Sequence, residues 1–254
     1  MSVLSRYLAL TLSACVLCLI GCEKKSTTPH VLGPPPQRST STANAVDQYR
    51  SLHASLSQEM IDLLDKERGE LSPEMLQLLQ SEEVQAAIVS IVETTKLTTC
   101  DWGIDYSDGL DTDLPHLGDL RRLTWLLKLS ASLAMEASDT QRASECTASI
   151  VRLSQHVGGK SMIEAYVAIA VLDIGNTLVM SSADQWSKSE RNLVLAEVLA
   201  IDQTDLFDGD AKIKWEKHAA AKQIGYGPSD RSQFDKVRAN MISDLHDVIA
   251  LLEQ

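Results

Sequence analysis

The sequence predicts an all-α protein, an irregular bundle of about eight or nine helices, and three observations predict it. Apolar residues recur at intervals of three and four almost everywhere after residue 45, no stretch alternates convincingly as a strand, and helix-start signals coincide with the onset of each periodic run.

The elements follow in order. Tyr49, Leu52, Leu56, Met60 and Leu63 predict a helix over 46–67. Ser72-Pro73 places a capping serine before a proline at the first helical position and starts a short helix over 73–80. Val84, Ile88, Ile91 and Thr95 predict 82–98, and Pro115 presets φ for a helix over 116–137. Ser138-x-x-Gln141, Ser161-x-x-Glu164 and Ser187-x-x-Glu190 each fit a capping box, in which two side chains satisfy orphan backbone donors reciprocally, and predict 139–157, 161–182 and 187–201. Further helices are expected over 208–224 and, after Pro228-Ser229, over 230–253, where Phe234, Val237, Met241, Leu245, Val248 and Leu252 share a face. Onsets near 116, 161 and 208 are spaced at about the 40 to 47 residues of HEAT-like repeats, so an α-solenoid of stacked hairpins is the alternative. The chain shows no residue-level self-similarity to support it.

One run stands apart. Residues 162–180, MIEAYVAIAVLDIGNTLVM, are apolar on almost every face and are expected to form the central buried helix. Asp173 then has an unusual problem, because a buried carboxylate must be paired, hydrogen-bonded or neutral. Glu164, Asp173 and Asn176 argue against reading the run as a membrane span.

The first 21 residues have the layout of a secretory signal: a lone Arg6, an uncharged apolar stretch of about 14 residues, too short to span a bilayer, and a small residue before a cysteine. Leu19-Ile20-Gly21-Cys22 resembles the lipobox of bacterial lipoproteins. That resemblance implies cleavage before Cys22 and acylation of its thiol and amine with diacylglycerol and a palmitate-like chain, an anchor to the membrane, and a periplasmic or outer-surface location. Two or more chains on one residue make anchoring stable where one is marginal. Cys15 and Cys18, spaced as CxxC, fall in the segment expected to be removed. Residues 22–45, rich in Ser, Thr and Pro, are expected to be a lipidated, disordered linker, leaving 46–254 as one helical domain.

The chain carries 23 Lys and Arg against 35 Asp and Glu, a net charge of −12. Removing Arg6 with the signal leaves 22 − 35 = −13. Such a body is repelled by phosphate backbones, so nucleic acid is excluded as an expected partner. The expected partners are the membrane, through the lipid, and a protein.

The sequence holds no GxSxG, HExxH, SxxK set, GxxxxGK[ST] or dinucleotide fingerprint, and its histidines are scattered singly, so no catalytic residue, zinc site or cofactor is expected. His53 reads as solvated, and His156 as the close of a helix. Cys100 and Cys146, an even pair in an exported chain, could form a disulfide or remain small core residues. The densest stretch is 100–116, CDWGIDYSDGLDTDLPH. Its aspartates around Gly109 invite a calcium reading, but placing Gly109 at loop position six puts Ile104 and Tyr106 at positions one and three and Pro115 at twelve, where an EF-hand needs carboxylates. Residues 202–210 fail the same test with Thr204, Leu206 and Trp215.

Asp101-Trp102-Gly103, Leu114-Pro115-His116-Leu117 and Arg122-Leu123 resemble a recurrent block of uncharacterised exported helical proteins of planctomycetal bacteria. The resemblance implies a fold signature and no activity. Trp102 is expected to bury its ring at a helix junction with its indole N–H on a carbonyl. The ligand or partner candidates are Asp101, Trp102, Asp105, Tyr106, His116 and Asp173, and an acidic site around 101–116 serving a small-ligand or metal binder or a hydrolase is the alternative to an interaction module. Asp173 beside the loop carboxylates in one pocket favours that alternative; Asp173 paired with a base and the loop splayed in solvent disfavours it.

Overall fold

The structure, a computed structural model, describes residues 39–108, 111–159, 161–201 and 231–254. The described residues all belong to one compact unit. Cys22, Gly109, the acidic stretch 202–210, the expected helix 208–224 and Pro228-Ser229 lie outside the described residues.

The described residues form nine α-helices and one two-stranded sheet: β1 (Ser39–Asn44), α1 (Ala45–Ser55), α2 (Gln58–Glu67), α3 (Pro73–Leu79), α4 (Glu82–Thr95), β2 (Leu97–Thr99), α5 (His116–Glu136), α6 (Thr140–His156), α7 (Met162–Ser182), α8 (Lys188–Leu199) and α9 (Arg231–Leu252). The helix expected over 46–67 is two helices. Leu56 turns extended, with ψ 136°, and Ser57 starts α2 by accepting from the Met60 amide at 3.2 Å. A serine that can cap competes with continuing a helix, and each such cap stabilises by about 1 kcal/mol. Ser72, Ser161 and Ser187 cap α3, α7 and α8 as the sequence predicts, the last two in complete capping boxes. At α6 the cap is Asp139, one residue later than predicted, because Ser138 takes a left-handed φ of 60°.

The strand content is a departure from the sequence reading. Leu97 and Thr98 leave the helix expected over 82–98, and Leu97–Thr99 pairs in parallel with Ser39–Asn44, so residues 39–44 join the domain although their composition reads as linker. Asn44 makes the join. Its side-chain oxygen accepts from the Val46 amide at 3.3 Å and the Asp101 amide at 3.0 Å, while its amide nitrogen donates to the Asp101 carbonyl at 2.9 Å.

Two apolar cores share α6. One gathers α1 to α5, Leu97 and Trp102 against the inner faces of α6 and α7; the other packs α8, α9 and Trp186 against the opposite faces of α6 and α7. Because α6 touches α4, α5, α7 and α8, the arrangement is an irregular bundle and not a solenoid, in which each repeat meets only its neighbours. The most enclosed helix is therefore α6, not the more apolar α7. Its sequence, TQRASECTASIVRLSQH, conceals this behind hydroxyls. Ser144, Thr147, Ser149 and Ser154 each turn their oxygen back onto a carbonyl three or four residues earlier, at 2.7–2.8 Å, so small polar side chains enter the core satisfied. Small residues also let the backbones approach: a Cβ on Gly175 of α7 would stand 3.3 Å from Val151 Cγ2. By length and composition α7 could cross a membrane, yet 61% of its most apolar window is buried in the protein, the mark of a core helix.

Candidate functional site

Three helix ends and the loop residues 100–108 converge between α1, α6 and α7. From α1, Tyr49 donates its hydroxyl to His156 Nδ1 at 2.7 Å. His156, the last residue of α6, reaches the Leu97 carbonyl with Nε2 at 3.0 Å. A carbonyl only accepts, so Nε2 carries a proton, and with Nδ1 unprotonated that nitrogen accepts from the tyrosine hydroxyl. The backbone carbonyl of His156 accepts from Trp102 Nε1 at 2.8 Å. Trp102, buried, stacks on Tyr49 at 6.1 Å between ring centroids and on His116 at 4.8 Å. The indole thus meets the carbonyl that the sequence reading expected it to need.

The second half of the cluster is built on α7. Glu164, 1% exposed, sits in its capping box, with Oε2 accepting from the Ser161 amide and hydroxyl at 2.9 Å each. Its Oε1 accepts from the Tyr106 hydroxyl at 2.8 Å. His116 Nε2 approaches the same oxygen to 3.4 Å, an electrostatic pairing with neither ring nitrogen in hydrogen-bond geometry. Burial pushes the carboxyl upward, but His116, Ser161 and Tyr106 outweigh it and hold the pKa below the ordinary glutamate value. Gly159, at φ +96°, makes the seat possible, since a Cβ there would land on the Glu164 carboxylate itself.

Beside this cluster lies an open cleft of about 590 Å³, walled by Cys100, Asp101, Trp102, Gly103, Ile104, Asp105 and Tyr106 on one side and by Gly158, Gly159 and Glu164 on the other. Its volume is in the range of small-ligand sites. Of the sequence candidates, Asp101, Trp102, Asp105 and Tyr106 line it and His116 does not. Trp102 and His116 are buried, Tyr106 is half-buried, and Asp101 and Asp105 are exposed. The two aspartates close Asx turns, Asp101 accepting from the Gly103 amide at 3.0 Å and Asp105 from the Ser107 amide at 2.9 Å.

Asp173 is a correction. It is exposed on α7 and is not part of the cleft. Desolvation, and after it the like charge of Asp244 on α9, raise its pKa. The helix is apolar nearly all round, but one face, with Ile163, Ala170, Asp173, Thr177 and Met180, is exposed. Neither arrangement set out from the sequence is met in full: Asp173 does not join the loop carboxylates, and the loop is folded onto the cluster instead of splaying. His53 is also not simply solvated, lying 3.2 Å from Asp119 and 3.3 Å from Arg122, whose guanidinium grips Asp65 at 2.7 Å.

Cys100 and Cys146 are free thiols, so the possible disulfide is not formed. Cys100 points its sulfur at the His156 carbonyl, 3.5 Å away, whereas Cys146 faces Ser130 Oγ at 3.7 Å. Burial, and after it Asp101, push the Cys100 thiol up to about 12, far from the depressed value of a nucleophilic cysteine. Among the described residues no group of three or more His, Cys, Asp or Glu side chains is placed to hold a metal ion.

Sequence reasoning missed Tyr49, His156 and Glu164 as members of one cluster. Tyr49 was visible only as a stripe residue, His156 only as a helix end and Glu164 only as a cap. The available signal was that a tyrosine hydroxyl on an apolar stripe needs a buried partner.

Fold and site together define an all-α multi-helix bundle with a buried aromatic–histidine–carboxylate junction. No family model matches the chain, and no curated protein or solved structure is significantly similar to it.

Proposed function

We propose that the chain is a lipid-anchored, extracytoplasmic α-helical interaction module, held to a membrane through acylated Cys22 and offering its helical surface to a protein partner. The observation that carries the non-enzymatic part is the use of its chemistry-bearing residues. In the densest polar cluster, Tyr49, Trp102, His156 and Glu164 are engaged with one another and with backbone, and the nearby Cys100 thiol is pushed up to about 12. A catalytic site needs a nucleophile within reach of a free base; here the histidine best placed to be a base has both ring nitrogens occupied. The anchoring part is supported by the signal layout and by Leu19-Ile20-Gly21-Cys22.

Metabolic labelling with an alkyne-bearing palmitate in the cell that makes the protein tests the anchor. The wild-type chain is expected to take up the label and partition with detergent, and Cys22→Ala to take up none. An unlabelled wild-type chain would overturn the lipid anchor.

A further inference from the structure

We propose that a groove running between α4 and α6, and on between α3 and α5, is the docking site for a basic amphipathic helix of a protein partner. The proposal rests on the reading of the chain as an interaction module and not on its anchor. Two cavities make up the groove. The first, of about 310 Å³, is lined by the buried Ile88 and Val92 of α4 and Cys146 of α6. The second, of about 490 Å³, is lined by Leu76 and Leu79 of α3 and by Leu133 and Ala134 of α5. Asp139 and Arg142 line both, so the two cavities adjoin. Val89 stands in the first with 61% of its surface exposed and carries the apolar strip out to solvent.

Arg142 is the bar across this groove. Its guanidinium donates to Gln85 Oε1 on α4 and, at 3.3 Å, to Ser130 Oγ on α5, while the Gln85 amide donates to the Leu79 carbonyl of α3. Four helices are thereby tied around the groove before anything binds, which lowers the ordering cost of association. The charges choose the occupant. Glu136, Asp139 and Glu145 line the cavities without a basic partner among the described residues, whereas Glu93 is answered by Lys96. With that pair set aside, one guanidinium meets three carboxylates, 1 − 3 = −2. The field therefore favours a cation, although Arg142 itself rests on neutral partners. An apolar strip bordered by acids is the complement of a helix whose apolar face is flanked by Lys and Arg, since their stems pack on apolar surface while their charges reach the rim. A second copy of the chain, with its net charge of −12, fits this surface poorly.

The probe is a fluorescein-labelled peptide of leucine and lysine with its leucines at helical spacing, compared with the same peptide carrying glutamate for every lysine. Fluorescence anisotropy follows binding to the full chain, and a benzophenone side chain in place of one leucine marks where the peptide lies. The lysine peptide is expected to bind saturably, to crosslink to α4 and α6, and to bind more tightly than the glutamate peptide. Val89→Asn should weaken it about tenfold and Glu145→Gln about threefold, the second effect shrinking with added salt. Glu59→Gln, which removes an exposed acid on α2 outside the groove, should bind as wild type. Val89 is at the surface, so its variant keeps the fold, and far-ultraviolet circular dichroism checks this. Tighter or equal binding of the glutamate peptide would overturn the proposal and make Arg142 the dominant charge. Crosslinks elsewhere, with wild-type affinity in Val89→Asn and Glu145→Gln, would overturn the groove and leave an interaction module with another surface. No saturable binding of the lysine peptide would count against both.

Discussion

The first turn of α7 and its middle each carry a carboxylate, and the two behave in opposite ways. Glu164 is almost wholly buried, yet its pKa is lowered; Asp173 is exposed, yet its pKa is raised. Burial alone would order them the other way. Donors decide it: Glu164 collects a backbone amide and two hydroxyls beside an imidazole, which outweigh its desolvation, whereas Asp173 is raised by partial desolvation and, after it, by the like charge of Asp244. Within one helix, the acid that solves its burial problem becomes part of the architecture, and the other keeps a small desolvation cost and a minor surface repulsion.

That contrast can be broken at several points. Gly159→Ala should have the largest effect, because its Cβ must displace the Glu164 carboxylate and its φ of +96° disfavours a side chain. Strain and overpacking together predict a loss of about 3 kcal/mol in denaturant unfolding at pH 7. Glu164→Gln keeps the shape and removes the charge, and should lose about 2 kcal/mol, in the range for hydrogen bonds to charged groups. Asp173→Asn should change least, within about 0.5 kcal/mol, since the site is exposed and its repulsion is screened. Its direction is the informative part. A carboxyl raised in the folded state destabilises above its folded pKa, so the asparagine variant should be equal to or slightly more stable than wild type at pH 7, the gain shrinking with added salt or acid.

The fold was largely legible in the sequence because its signals are local. Serine caps, a proline and periods of three and four reflect backbone geometry, and they place α3, α7 and α8 nearly to the residue. What escaped was long-range. The pairing of Ser39–Asn44 with Leu97–Thr99 depends on Asn44 meeting Asp101, 57 residues away, and composition carries no trace of it. The rank of α6 as the innermost helix was hidden because serine and threonine look polar until their hydroxyls fold back on the helix.

The candidate site was legible in half. Trp102, Tyr106 and His116 stood out as an aromatic, acidic loop, and all three reach the junction. Asp101 and Asp105 stood out for the wrong reason, since they serve turns. The apolar neighbours of Asp173 point to burial on every side, whereas Glu164, which reads as a cap residue, is the acid that is buried.

The most direct measurement of the central claim, that its donors hold the buried Glu164 ionised, is the unfolding free energy of wild type and Glu164→Gln across pH 7 to 3. A carboxyl lowered in the folded state contributes its stability in full above the unfolded glutamate value of about 4.3 and loses it as pH falls through the folded value. The account predicts a gap of about 2 kcal/mol at pH 7 that closes progressively below pH of about 4. A gap that is absent at pH 7, or that persists undiminished in acid, would contradict it.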